Sequence, residues 1–192
     1  MTQPKILAFA GSTRTGSFNK LLIRAAIQGA EKAGAKVTYL DLRELPLPLF
    51  DQDLEEKGFP ENARKLKELM IQHDGFLISA PEYNSSVTGV LKNAIDWASR
   101  SMEPDEPSLV CFKGKAAALM SASPGALGGL RGLVTLRSIL GNIGVFLLPD
   151  QVSIPKADEA FQPDGSLKDA KKQASVEKLG KSLTEFLRKL HS

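Results

Sequence analysis

The sequence predicts an α/β fold in which one parallel sheet carries helices on both faces. Three observations predict it. Short apolar runs alternate five times with segments of helical periodicity. Those runs are apolar throughout, as strands buried on both faces must be. The stretches richest in Gly, Ser and Asn fall just after three of them, at the strand ends where such sheets bind ligands.

The elements follow in order. Lys5–Ala10 is a buried strand. Asn19–Ala33 sets Leu21, Leu22, Ala25, Ala26 and Gly29 at helical spacings, and Gly34 ends the helix. Residues 37–41, VTYLD, form the second strand. The stretch RELPLPLFDQDLEEKGFPE alternates three prolines with apolar residues, so it reads as a long extended loop. Asn62–Gln72 is an amphipathic helix, and Gly75–Ala80 a third strand closed by Pro81. Thr88–Arg100 is a helix, Lys115–Ala122 a strand, and Gly129–Leu140 a helix. Val145–Leu148 is a fifth strand stopped by Pro149, and Ser166–Leu190 a final helix. Right-handed crossovers leave few topologies for five such strands. The spacing fits a three-layer, flavodoxin-like fold with a five-stranded parallel sheet in the order 2-1-3-4-5. The length suits one domain over residues 1–192.

Composition narrows the function. With 25 basic and 22 acidic side chains the net charge is +3, which lacks the footprint of a nucleic-acid binder. Cys111 is the only cysteine, so neither an intrachain disulfide nor a cysteine zinc cluster is expected. His73 and His191 alone argue against a histidine metal site. There is no signal pattern and no apolar run of the roughly 18 residues that a membrane span needs, so a cytoplasmic protein is expected. Lys168, Lys171, Lys172, Lys178, Lys181 and Lys189 alternate with acids and read as a solvated helix face.

The chemistry gathers in three loops. Residues 11–19, GSTRTGSFN, lead into a helix N-terminus, whose unpaired N–H groups and dipole suit an anion. Ser12, Thr15, Ser17 and Asn19 add polar side chains and Arg14 a charge, as a phosphate monoester requires. The plainer reading makes Ser17 or Asn19 a helix cap and Arg14 a surface residue. The loop matches neither Walker A nor the dinucleotide G-x-G-x-x-G spacing. In the second loop, Glu82, Tyr83, Asn84 and Ser85 make a turn whose amides suit the edge of a planar heterocycle, with Tyr83 flanking it or packing on the helix behind. The third loop, SASPGALGGLRG, holds four glycines, which imply close approach of backbone to something. Lys92 and Asp96 stand four apart on a helix, as an intrahelical pair or as a pair with another subunit. Trp97 reads as packing, in the core or at an interface.

GSTRTGSFN followed by PEYNSSVTGVLKNAIDW resembles the NADPH-dependent FMN reductase family, which includes quinone, azo-dye and chromate reductases. The resemblance runs from Ile6 to about Leu148 and includes LPLFDQDLE and GGLRGL. It implies bound FMN, NADPH or NADH as co-substrate, and a dimer or tetramer. By the same resemblance Ser12, Arg14, Ser17 and Asn19 hold the FMN phosphate, and Phe18 is a further cofactor-binding residue. Pro81, Glu82, Tyr83, Asn84 and Ser85 line the isoalloxazine, and Ser121, Ser123 and Gly125 form the third flavin-side loop.

The implied activity is hydride transfer from NAD(P)H, through FMN, to a quinone, flavin, azo compound or chromate. No side chain is required as nucleophile or metal ligand, and no proton-transfer residue is assigned. The alternatives are a flavodoxin-like electron carrier, against which the slightly basic charge argues, and a flavin-binding regulatory module without turnover. A receiver domain is set aside because Ala8-Phe9-Ala10-Gly11 lacks acids. Self-association is expected through Lys92, Asp96 and Trp97, with Leu45, Leu47, Leu49 and Phe50 of the proline loop as a second apolar contact.

Overall fold

The computed structural model describes residues 3–190, so His191 lies outside it. Five parallel strands form the sheet: β1 (Lys5–Ala10), β2 (Lys36–Leu40), β3 (Gly75–Ser79), β6 (Ala116–Ala122) and β7 (Phe146–Ile154). Their order is β2-β1-β3-β6-β7, which is the expected 2-1-3-4-5 when the five are counted alone. Two further short strands, β4 (Glu82–Tyr83) and β5 (Ser86–Val87), pair as an antiparallel hairpin outside the sheet.

Strand alternation divides the core into two layers. Ile6 and Ala8 of β1 pack with α1 (Phe18–Lys32) and α7 (Ala170–Leu190). Leu7 and Phe9 face the opposite way, toward α3 (Glu61–Ile71), α4 (Gly89–Ala98) and α5 (Leu130–Asn142). Small side chains on β6, Ala116, Ala117, Ala118 and Ala122, let helices settle close on both faces.

The helices α1 and α7 approach each other through glycine. A Cβ placed on Gly29 would lie 1.9 Å from the Glu177 carbonyl oxygen, and one on Gly180 would lie 1.9 Å from that of Ala26. No side chain fits at either point. Asp169 starts α7 by accepting from the N–H groups of Lys171 and Lys172 at 2.9 and 3.2 Å. The helix therefore begins at Ala170 rather than Ser166, because the turn before it binds Leu167 to Phe161 in an isolated bridge.

Two other expectations are corrected. Pro149 does not stop the last strand: β7 continues to Ile154. It is an edge strand, and its register shifts between Leu147 and Gln151, where a proline removes no ladder bond. The proline-rich segment is not extended throughout either. Asp51 accepts from Asp53 N–H at 2.9 Å and caps a short helix, α2 (Gln52–Lys57), which ends at Gly58. A further short helix, α6 (Ala157–Ala160), follows β7.

The proline segment covers its own domain. The Pro48 carbonyl accepts from Asn93 Nδ2 at 2.9 Å and from Trp97 Nε1 at 2.8 Å, while Phe50 N–H donates to Asn93 Oδ1 at 2.8 Å. Trp97 is fully buried, edge-on to Phe50 and Phe59 at 5.1 and 5.4 Å. That burial removes Trp97 from any contact with a second subunit. The Lys92–Asp96 pair is intrahelical, at 2.6 Å. Of the apolar loop side chains, Leu49 alone is strongly exposed, at 82%.

Replacing Gly180 by Val is expected to destabilise the fold by about 2–3 kcal/mol, since the carbonyl it meets is backbone and cannot yield cheaply. Urea unfolding at constant m-value measures this, and an unchanged midpoint contradicts the interlocked crossing.

Candidate functional site

The sheet order reverses between β1 and β3, and the loops after β1, β3 and β6 meet beyond those strand ends. A cleft of about 260 Å³ lies between them, lined by Ser12, Arg14, Ser17, Phe18, Asn19, Pro81, Glu82, Tyr83, Ala122, Ser123 and Pro124.

The first wall is the N-terminus of α1. Ser17 is its extended cap residue, yet its hydroxyl makes no capping bond. The N–H groups of Phe18 and Asn19 meet no protein acceptor among the described residues, and the first helical turn carries no acid. This end is therefore electropositive with donors to spare. The Arg14 guanidinium lies over the Phe18 ring, 5.1 Å from its centroid, and Phe18 stacks on Phe161 at 6.0 Å. Arg14 has no carboxylate partner among the described residues.

Asn19 behaves differently from the expectation that its side chain reaches the ligand. It is buried, and its amide is turned inward. Nδ2 donates to Ala122 O at 2.8 Å, while Oδ1 accepts from Ala122 N at 3.0 Å and from Ser79 Oγ at 2.9 Å. Its backbone N–H is what remains for a ligand. Ser12 Oγ accepts from Arg14 N–H at 3.3 Å and so shapes the loop. The loop is further tied by Thr88, which donates to Gly11 O at 2.7 Å and caps α4 through Leu91 N–H.

The second wall is the β4–β5 hairpin. Its two turn residues, Asn84 and Ser85, have φ of 49° and 64°, the primed turn that suits strand twist. Their N–H groups meet no protein acceptor among the described residues. Tyr83 stands 63% exposed on this hairpin. The Glu82 carboxylate points away from the cleft mouth to α5: Arg131 donates to Oε1 from Nε at 2.9 Å and from a terminal nitrogen at 2.6 Å, and Gly132 N–H donates to Oε2 at 3.1 Å. Burial acts to raise the Glu82 pKa, but these donors outweigh it and hold it below the ordinary glutamate value. Glu82 therefore anchors the hairpin.

The third wall is the loop after β6. Ser123 Oγ accepts from Gly125 N–H at 3.2 Å, and its backbone bonds Ile154 O and Ala157 N. The glycines of this loop do permit close approach, but of the chain to itself: a Cβ on Gly129 (φ +88°) would lie 1.8 Å from Ser121 Oγ. Ser121 is fully buried beneath the loop with its hydroxyl unpaired.

Of the residues singled out in the sequence, the structure gathers Ser12, Arg14, Ser17, Phe18, Asn19, Pro81, Glu82, Tyr83 and Ser123 around one cleft. Asn84 and Ser85 occupy the adjacent hairpin tip, while Ser121 and Gly125 do not line the cleft. Sequence reasoning missed Thr88, Ala122, Pro124 and Arg131. Thr88 stands at a recognisable N-cap position, but nothing in the sequence pairs Arg131 with Glu82 49 residues away.

Sheet order, an anion-receptive helix end and an aromatic hairpin at the switch point define a flavodoxin-like α/β protein. The chain belongs to the NADPH-dependent FMN reductase family, whose model matches residues 4–159. It is an oxidoreductase of the class that uses FMN and NAD(P)H. It is 36% identical, over 97% of its length and 96% of the relative's, to an NAD(P)H-dependent FMN reductase of Pseudomonas aeruginosa. A probable NADPH:quinone oxidoreductase of rice (Oryza sativa) is 35% identical over 97% of this chain and 93% of its own. Among solved structures, the flavoenzyme NAD(P)H:(acceptor) oxidoreductase FerB of Paracoccus denitrificans superposes with a TM-score of 0.78 at 28% identity, covering 97% and 98% of the two chains.

Two outcomes follow from this geometry. Asn19→Ala strands three buried polar groups and is expected to cost about 2–4 kcal/mol in denaturant unfolding. Because the folded Glu82 pKa is lowered, its contribution to stability is present above the ordinary glutamate pKa and is lost as pH falls through the lowered value. The stability gap between the wild type and Glu82→Gln should therefore close in acid, and a gap that stays constant with pH contradicts the anchor.

Proposed function

We propose that the protein is an NAD(P)H-dependent reductase of quinones that holds FMN in the cleft between α1 and the β4–β5 hairpin. One observation carries the reading: the acid-free N-terminus of α1, with unpaired N–H groups and Arg14, opens into the same cleft as Tyr83. Phe18 N–H, Asn19 N–H, Ser17 and Arg14 are the groups that fit a phosphate. The amides of Asn84 and Ser85 fit the polar edge of the isoalloxazine, and Tyr83 flanks it. Bound there, FMN supplies the hydride acceptor and donor chemistry.

The chain's own part is positioning. The buried Asn19 amide fixes the helix end that receives the phosphate, and the Glu82–Arg131 pair fixes the hairpin that meets the ring edge. No protein thiol is called upon: Cys111 is buried, and burial pushes its thiol up to about 11. NAD(P)H and the acceptor visit the cleft in turn. The relatives' names support quinones as acceptors, and flavins, azo compounds and chromate are further acceptors for the same reduced cofactor.

We also propose that the chain self-associates near the cleft. The exposed apolar side chains Leu49, Tyr83, Leu127, Leu130 and Val134 support this, not Trp97. Light scattering of the FMN-loaded protein should give at least twice 20.7 kDa.

The purified protein should carry noncovalent FMN and bind riboflavin far more weakly. Arg14→Ala should weaken FMN by about 1.5–3 kcal/mol. Steady-state NAD(P)H oxidation with a quinone should give parallel double-reciprocal lines, and Cys111→Ala should retain turnover. Equal affinity for riboflavin and FMN would falsify the phosphate assignment, and absence of NAD(P)H oxidation would favour an electron carrier.

A further inference from the structure

A second cleft, of about 600 Å³, lies on the other side of the loop after β1. Thr15, Gly16, Ser17, Lys20, Leu21 and Arg24 form one wall, and Tyr39, Asp41, Arg43 and Glu44 the other. Ser17 lines both clefts, so the two are neighbours. This one sits at the end of β2, since Leu40 is that strand's last residue.

The charges of the second cleft do not cancel. Lys20 and Asp41 pair with each other at 2.6 Å, and Asp41 also accepts from Arg43 N–H at 3.0 Å. Burial acts to raise the Asp41 pKa, but the Lys20 ammonium and the backbone donor hold it low. Its negative charge is thus engaged. The Arg43 guanidinium donates to the neutral hydroxyl of Thr15 and forms no close ion pair among the described residues, although its charge also helps to hold the Asp41 pKa low. Arg24 is exposed and has no ion pair among the described residues. Glu44 is the remaining acid, so beyond the Lys20–Asp41 pair the lining holds two guanidinium groups outside any ion pair and one such carboxylate. Tyr39 adds an aromatic surface, 40% exposed, beside Arg24.

We propose that this second cleft receives the 2′-phosphoadenosine end of NADPH, with Arg24 and Arg43 on the 2′-phosphate and Tyr39 against the adenine. The inference rests on the reductase reading above and adds the choice between the two nicotinamide cofactors. In dinucleotide-binding doubly wound sheets, whose G-x-G-x-x-G turn this chain lacks, an acid near the end of the second strand bonds the ribose diol of NADH and an arginine nearby accommodates the 2′-phosphate, and the same charge logic applies to this cleft. Here the carboxylate at that position, Asp41, is consumed by Lys20, and Arg43 stands two residues on. Guanidinium groups suit phosphate better than ammonium does, because their donors form a planar fork. The α1 N-terminus stays available for the FMN phosphate, since the second cleft is reached from the β2 side of the same loop.

Calorimetry on the FMN-loaded protein tests this without turnover. The probes are 2′,5′-ADP, 5′-AMP and 3′,5′-ADP. Binding of 2′,5′-ADP should be at least about tenfold tighter than that of 5′-AMP, as a charge-assisted phosphate contact implies. Arg24→Gln should remove most of that difference while the protein still copurifies with FMN, and Arg24→Lys should restore part of it. In steady state, Arg24→Gln should lower the ratio of kcat/KM for NADPH over NADH by about tenfold. Equal affinity for 2′,5′-ADP and 5′-AMP, or equal affinity for 2′,5′-ADP and 3′,5′-ADP, overturns the proposal. So does an unchanged cofactor ratio in Arg24→Gln. A protein that neither binds FMN nor oxidises either nucleotide would sink the reductase reading instead, and the same titration on the FMN-free protein would still report on the cleft.

Discussion

The buried amide of Asn19 is the constraint on which the site depends. It joins α1 to β6 by a reciprocal pair of bonds to the Ala122 backbone and to β3 through Ser79 Oγ. These three elements flank the point where the sheet order reverses. A polar group this deep is costly unless every partner is met, so the geometry that satisfies it is narrow. Satisfying it fixes the direction of the α1 axis, and with it the direction in which the unpaired N–H groups of Phe18 and Asn19 point. The anion-receptive end of the helix is thus set from beneath, by a side chain that faces into the core.

The other two walls are held by comparable devices at longer range. Thr88 ties the loop after β1 to the start of α4 while capping that helix. Glu82 joins the hairpin to the first turn of α5 through Arg131 and Gly132, where a carboxylate also suits the helix dipole. Neither device faces solvent chemistry directly. The cleft is therefore assembled from the ends of regular elements, and its loops are pinned at several points. An enzyme whose cofactor performs the reaction needs from its protein this kind of fixed placement and little else.

The loop after β1 divides two regions of opposite character toward nucleotides. On one face it offers backbone donors, a serine and a stacked arginine; on the other, side-chain guanidinium groups and a tyrosine. Arg43 binds the loop from the second side through Thr15, so the two clefts share a wall whose position both depend on. Away from them, Lys67 is buried with its ammonium on Glu106 and the Arg100 carbonyl, close to Cys111, which marks that cluster as a strut for the 100–115 segment.

What the sequence by itself determined is the alternation of strands and helices, the sheet order and the location of the three loops. Those follow from local rules: runs buried on both faces are apolar throughout, helices repeat at 3.6, and crossovers have one hand. The positions of the five sheet strands were legible to within a residue or two, except where Pro149 concealed the rest of β7, because the sequence does not say that a strand lies at an edge; the short pair β4–β5 was read only as a turn. The first loop was legible as an anion-receptive helix end because the N–H groups of a helix N-terminus are left free by backbone geometry alone. Which way the side chains point was decided only by tertiary structure. Asn19 turns into the core because β3 and β6 present a hydroxyl and an amide there; Glu82 turns to Arg131, and Trp97 disappears under its own proline loop. Each of those outcomes depends on a partner 45 or more residues away, and a single sequence records no distance between such residues. Local periodicity therefore names the elements and their ends, while the inward or outward choice of a polar side chain waits for the packing that brings its partner within reach.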